Sequence, residues 1–346
     1  MGMVDKITRH SLPVCSICIA NYNGMGTLGA AIDSVLAQVD SVPFEIIVHD
    51  DASTDESVEF VRKHYPDIRL IVSSENVGFC RSNNRMADKS NGEYILLLNN
   101  DAELFPDALA TLYAYSRESG TDGILGLPQY QTDTRERLDY GYLLDPFLNT
   151  VPNLDPTRQD VAMVMGACLW ISRTLWQRLG GFPNWLEMLG EDMFLCCQAR
   201  LQGIPVRTLP VSGFYHQVGY SLGGGKVTAK GLATTIRRRS LSERNRTYLM
   251  AVCYPTGALL ALFPLHLLLL VSEGLLLLAL KRSPRLFREI YVGAIRALLT
   301  QYPRLLRERR KMQRTRTVGP SRFFATFHWF PRKLSMLLRH GMPQLR

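Results

Sequence analysis

The first 120 residues repeat one unit: a short apolar run, a polar cluster, then a stretch with helical spacing. VCSICIA (14–20) leads through NYNG into LGAAIDSVLAQ (28–38), where Leu28, Ile32, Val35 and Leu36 share one side. FEIIVHDD (44–51) ends in two acids and precedes STDESVEFVRKHY (53–65), in which Ser53 or Thr54 is placed to cap a helix with Asp55 and Glu56 in its first turn. IRLIVS (68–73) reads as a third strand and RSNNRMADKS (81–90) as a helix. EYILLLNND (93–101) is a fourth strand, and PDALATLYAYSRES (106–119) a helix opened by proline. Strands joined by helices predict a mostly parallel sheet covered on both faces, an α/β fold. In such sheets ligands sit beyond the carboxyl ends of the strands, and NYN, DDAS, NVGF and NND all fall there.

After an irregular stretch (128–160), GACLWIS (166–172) reads as another strand. SRTLWQRLGGF is a helix closed by Gly180 and Gly181, and GEDMFLCCQARLQG a helix entered through acids. VRTLP and GFYH close the pattern as short strands, giving an expected domain of residues 1–236. Charge divides the chain at the same place: residues 1–236 hold 18 Lys+Arg against 27 Asp+Glu, and residues 237–346 hold 22 against 4. An acidic, Asn-rich region suits a divalent cation, whereas a basic, Leu-rich one suits an anionic membrane surface. Residues 258–280 are long enough to cross a bilayer, although Pro264, His266, Glu273 and Gly274 interrupt them. The basic clusters at Arg237–Arg239, Lys281–Arg282 and 304–316 would hold Leu-rich helices at the membrane face even without a crossing. Residues 237–346 are therefore expected to form a helical, membrane-associated region, the alternative being an ordinary helical subdomain. The positive charge is interleaved with Leu runs rather than exposed aromatics, which argues against a nucleic-acid partner. The opening residues lack the pattern of a cleaved signal peptide, so the first domain is expected at the cytoplasmic face of the membrane. Seven cysteines without regular spacing argue against a disulfide framework, and Cys15 and Cys18 lie on a strand that points them to opposite faces, which argues against zinc.

Several residues in the polar clusters carry chemistry. Tyr22 could stack on a pyrimidine or stand as a half-buried surface ring. Asp50 and Asp51 could accept from a base N–H and ribose hydroxyls, or Asp51 could cap the next helix. Asn99 and Asp101 put oxygen ligands at the end of a hydrophobic strand, where Mg²⁺ or Mn²⁺ could bridge two phosphates. At a helix start, Asp192 could be a general base or could complement the helix dipole beside Glu191. His216 could give an imidazole to the metal or be structural.

Taken in order, SICIANYNG, IIVHDDASTDES, NVGFCRSNNR, GEYILLLNND, GACLWISRTLWQRLGGF, GEDMFLCCQARLQG and FYHQVG resemble the inverting glycosyltransferases of family 2, over most of residues 12–250. The resemblance implies the GT-A fold, a Rossmann-like sheet flanked by helices. It implies Tyr22, Asp50 and Asp51 around a nucleoside, Asn84 in the donor pocket, and Asn99 with Asp101 as this chain's form of the DxD motif. Asp192 would be the base and His216 a third metal contact. The implied reaction is direct, inverting displacement of a sugar from a nucleotide diphosphate, such as a dTDP- or UDP-sugar, onto a lipid-linked or polysaccharide acceptor. NND, NVGF and the tail look most similar to the rhamnosyltransferase-type branch that builds bacterial cell-surface polysaccharides. Two rival readings are a sugar nucleotidyltransferase, which would be expected to carry a basic residue in the loop occupied here by NYNGMG, and a catalytically degenerate scaffold at the membrane, which Asn99 permits.

Overall fold

Apolar runs long enough to be buried on both faces set the centre of the molecule. A computed structural model describes residues 12–217, 224–228, 231–341 and 344–345; the first eleven residues and Val218–Gly219 of FYHQVG lie outside it. In chain order the strands and helices of the first part are β1 (Cys15–Asn21), α1 (Leu28–Leu36), β2 (Phe44–Asp50), α2 (Ser57–His64), β3 (Arg69–Val72), α3 (Phe79–Asp88), β4 (Tyr94–Asn99), β5 (Ala102–Leu104), α4 (Ala108–Glu118), β6 (Ile124–Gly126), β7 (Gln129–Gln131), β8 (Arg137–Asp139), β9 (Tyr142–Leu144), β10 (Thr150–Pro152), β11 (Cys168–Ser172), α5 (Arg173–Leu179), α6 (Glu191–Leu201), β12 (Val206–Thr208) and β13 (Phe214–His216). The main sheet has the order β12-β6-β11-β4-β1-β2-β3. Its neighbours are parallel except at β11, which runs antiparallel to both β4 and β6. A second sheet, β5-β13-β7-β8, lies in the same unit.

Cys15, Ile17 and Ile19 of β1 and Leu96 and Leu98 of β4 are at most 2% exposed and join Trp170 of β11 in one core. Trp170 stacks on Tyr94 with ring centroids 4.8 Å apart, and its indole N–H donates to Ser116 Oγ at 2.9 Å, so a large buried aromatic leaves no polar atom stranded. α5 begins with Ser172 Oγ accepting from Leu175 N and ends at Gly180 in the left-handed region, as the Ser and Gly-Gly signals predict. All seven cysteines are buried and none is in a disulfide.

Three element boundaries differ from the sequence reading. α2 starts at Ser57 rather than Ser53, because Ser53 N donates to Asp50 Oδ1 and Thr54 N to Asn23 Oδ1; those residues belong to the loop at the sheet edge. β4 stops at Asn99, so Asp101 stands in the turn before β5 and not on the strand. The irregular stretch 128–160 contains β7 to β10, each three residues long, too short to show a period.

The chain divides into two compact units. The second gathers residues 143–151 and 200–203 with everything from 218 onward, and its helices are α7 (Ile236–Cys253), α8 (Thr256–Lys281), α9 (Pro284–Leu286), a π-helical turn (Phe287–Val292), α10 (Gly293–Arg314), α11 (Pro320–Phe323) and α12 (Arg332–His340). Glu243 of α7 is fully buried among Arg239, Arg246 at 2.6 Å and Lys333 at 2.7 Å. Burial pushes its carboxyl up, but the charges of Arg246, Lys333 and Arg239 outweigh this and hold it well below the ordinary range.

Candidate active site

β1, β2 and β4 are parallel, so their carboxyl ends share one edge, with Asn21 opposite Asp50 and Ala20 opposite Asn99. Buried Asn21 ties that edge together: its Nδ2 donates to Asp50 Oδ2 at 2.9 Å, and its Oδ1 accepts from Asn100 Nδ2 at 2.8 Å. Position 24 must be glycine for this bridge to form, since a Cβ there would lie 2.1 Å from Asn100 Nδ2. Asp51 does not cap α2. Its carboxylate accepts from Val77 N at 2.7 Å and Gly78 N at 2.8 Å, which folds the 77–78 loop over the edge. Each carboxylate oxygen has more than one lone pair, so both acids keep acceptor capacity for a ligand. Tyr22 is 52% exposed beside them, leaving its ring free to stack on a base.

The Asn84 amide is engaged by the protein itself. Its Nδ2 donates to Phe182 O at 2.8 Å and Asn184 Oδ1 at 2.9 Å, and its Oδ1 accepts from Phe182 N at 2.9 Å, so the side chain expected in a donor pocket clamps the loop after α5.

β13 pairs antiparallel with β5, setting His216 opposite Ala102 and bringing the imidazole to Asp101. His216 Nε2 is 3.2 Å from Asp101 Oδ1 and 3.5 Å from Asn99 Nδ2. Neither contact satisfies the group: Asn99 Oδ1, Asp101 Oδ1 and His216 Nδ1 are buried without an aligned hydrogen-bond partner. Orphaned buried polar atoms are costly and call for a partner. The atoms that meet are His216 Nε2, Asp101 Oδ1 and the Asn99 amide; with that amide turned over, two oxygens and one imidazole nitrogen would face the same point, a donor set that fits a divalent cation such as Mg²⁺ or Mn²⁺. Among the described residues no three His, Cys, Asp or Glu side chains gather at ligating range, so Asp101 and His216 would need the Asn99 amide oxygen to make a three-ligand set.

Asp192, in the first turn of α6, accepts from Gly166 N at 3.2 Å and Met193 N at 2.7 Å. Ala167 O accepts from Asn99 N at 3.1 Å, so the adjacent residues 166 and 167 link Asp192 to the end of β4. Burial pushes the Asp192 carboxyl up, and the Gly166 and Met193 N–H groups draw it partly back. Its neighbour Glu191 has an Oε2 with no partner, and burial together with the charge on Asp192 pushes its carboxyl up to about 8. Buried side by side, the two acids compete for charge, and Glu191 keeps its proton at neutral pH.

A further polar group escapes sequence reading. Gln129, Asp139, Tyr142 and Thr208 line a cavity of about 10 Å³, room for a single water. Both amide atoms of Gln129, Asp139 Oδ2 and Thr208 Oγ1 lack partners there. Burial pushes the Asp139 carboxyl up to about 6 against hydrogen bonds from Tyr142 and the Gly141 N–H and the charge of His216. Lone polar residues on three-residue strands carry no signal of burial.

A mostly parallel sheet with acids and amides at the strand ends, accompanied by a second sheet that delivers a histidine, is the arrangement of the GT-A fold. Residues 16–180, a little under half of the chain, match the family model described as Glycosyl transferase family 2. It is 24% identical over 222 residues to the low-salt glycan biosynthesis hexosyltransferase Agl10 of Haloferax volcanii, covering 61% of this chain and 69% of the relative. It is 26% identical over 214 residues to the O-antigen biosynthesis protein RfbC of Myxococcus xanthus, covering 56% and 16%. Among solved structures, GalNAc-T7 with UDP, GalNAc and Mn²⁺ shares the fold at a TM-score of 0.55 and 16% identity, over 70% of this chain and 48% of that one. The chain spans 25% and 31% of the first curated relatives it matches.

Proposed function

We propose that the chain is an inverting glycosyltransferase that moves a hexose, with rhamnose the first candidate, from a UDP- or dTDP-linked donor to a lipid-linked or polysaccharide acceptor at the cytoplasmic face of the membrane, in the synthesis of a cell-surface glycan. The observation that carries this reading is the convergence at one sheet edge: Asp101 within 3.2 Å of His216, and Asp192 joined to the same strand end through residues 166–167. The glycan-building relatives and the UDP and Mn²⁺ held by GalNAc-T7 support it.

Tyr22 stacks on the base, and Asp50 and Asp51 accept from the base N–H and the ribose hydroxyls, on loops that their own hydrogen bonds hold in place. Asn99, Asp101 and His216 would hold Mg²⁺ or Mn²⁺, which when bound supplies positive charge against the diphosphate. Asp192 takes the acceptor hydroxyl proton as that oxygen attacks the anomeric carbon; the bond to the diphosphate oxygen breaks, and the configuration inverts. Two backbone N–H groups orient its carboxylate, and the protonated state of Glu191 keeps a second negative charge away from it.

The test is a screen of nucleotide sugars, dTDP-rhamnose and UDP-hexoses first, for release of nucleotide diphosphate with and without chelator. Chelation is expected to abolish turnover. Asp192→Asn is expected to cut transfer at least about 10³-fold while nucleotide binding stays within about twofold, as befits loss of a base acting only in the transition state. An Asp192→Asn enzyme that turns over at the wild-type rate refutes the assignment.

A further inference from the structure

α8 is built inside out. Its length and composition suit a membrane, with mean hydropathy of 2.1 in its most apolar window and 17% of that window buried. The inward side carries Leu270 and Leu277 together with two polar groups: His266 Nε2 lies 2.8 Å from Thr247 Oγ1, and the partly buried Glu273 binds Arg239, Lys333 Nζ at 2.6 Å and Tyr291 Oη at 3.0 Å. The outward face carries the leucines, with Leu260, Leu268 and Leu280 at 72%, 62% and 60% exposed and Leu265, Leu275 and Leu276 between them. An outward row of this kind has no use in water.

We infer that α8 lies in the plane of an anionic membrane surface, with its leucine face in the boundary between headgroups and acyl chains, and does not cross the bilayer. This deepens the membrane-surface part of the proposed function and does not depend on the transfer chemistry. Length does not exclude a crossing, since 26 residues rise about 39 Å. Charge does. A crossing centred on Leu268 and Leu269 would put Glu273 roughly 7 Å from the midplane. With it would go Arg239, Glu243 and Arg246 of α7 and Lys333 of α12, all locked to Glu273 or to each other. α7 packs beside α8 and carries Arg237, Arg238, Arg239, Glu243, Arg244 and Arg246, which cannot enter hydrocarbon. Pro264 points outward and leaves the Leu260 carbonyl without its helical donor, a group that water at the headgroup level satisfies and hydrocarbon does not. The end of α8 supplies the electrostatic complement to anionic headgroups: Lys281, Arg282 and Arg288 are exposed, while Arg285 is paired with Glu289 at 2.8 Å.

Thiol mapping of the full chain in bacterial membranes tests the topology. A Cβ at Gly257 would meet nothing within 4 Å and Lys281 is exposed, so Gly257→Cys and Lys281→Cys mark the two ends of α8 against a background of buried native thiols. A membrane-impermeant maleimide is expected to label both ends in inverted vesicles and neither in intact spheroplasts. Labelling of the ends from opposite sides overturns the in-plane placement. The purified chain is expected to float with vesicles containing phosphatidylglycerol, less so as salt rises, and Leu268→Glu with Leu276→Glu is expected to weaken this at least about tenfold with an unchanged circular dichroism spectrum. Failure of the wild-type chain to float, or a solution dimer that the same pair of substitutions dissolves, overturns membrane docking altogether. Donor hydrolysis by that doubly substituted chain separates either failure from failure of the glycosyltransferase reading.

Discussion

Glu191 and Asp192 are adjacent acids with opposite tasks, and their surroundings divide the labour. Asp192 receives two backbone N–H groups that favour its charged form, whereas Glu191 has an unpartnered oxygen and its carboxyl is pushed up to about 8. Because the folded-state pKa of Glu191, about 8, stands above the unfolded value of about 4.3, this group weakens the fold progressively as pH climbs between the two. Glu191→Gln keeps the neutral shape and removes that dependence. Thermal unfolding should therefore find the variant gaining on the wild type by at least about 1 kcal/mol, some 2–4 °C, between pH 5 and pH 8; parallel curves would show that Glu191 does not titrate in this window. At this scale, type and place were readable from sequence but partners were not. Paired acids after an apolar run mark Asp50 and Asp51 as special, yet Asp51's partners are 26 and 27 residues away and Asn84's is 98 away, distances over which only the folded chain decides.

The alternation of strand and helix was legible because each apolar run ends at turn residues and each helix has an apolar side. The antiparallel sense of β11 was not, since Cys168–Ser172 is apolar whichever way it runs. Crossing the sheet brings Gly92 against β1. A Cβ at Gly92 would stand 2.6 Å from Ser16 N and 2.7 Å from Cys15 C, backbone atoms that cannot turn aside. Gly92 N also donates to Ser16 Oγ at 2.9 Å, so the contact fixes how β4 enters beside β1. Gly92→Ala is expected to cost roughly 1–3 kcal/mol in urea unfolding by forcing these strands apart, an overpacking penalty that substitution at an open site such as Gly319 would not show.

Across the whole chain, an acidic first part and a basic second part foreshadow two compact units, although the second draws in residues 143–151 and 200–203 that the charge pattern assigns to the first. The second unit holds a buried ion-pair cluster beside its apolar core. Glu243 faces Arg239, Arg246 and Lys333, of which Arg239 and Lys333 also reach Glu273, so Glu243→Gln takes the partner from Arg246 and leaves the other two cations sharing one carboxylate. The expected loss is about 3–5 kcal/mol, seen as earlier melting of helix by far-ultraviolet circular dichroism; a variant as stable as the wild type would mean that water already screens the cluster. The cysteines give each unit its own internal clock. Cys253 belongs to the helical unit and the other six to the sheet unit, all shielded from solvent. The pace at which a thiol reagent consumes each of them thus times how often its unit breathes open, and shows whether nucleotide or lipid quiets one, the other or both.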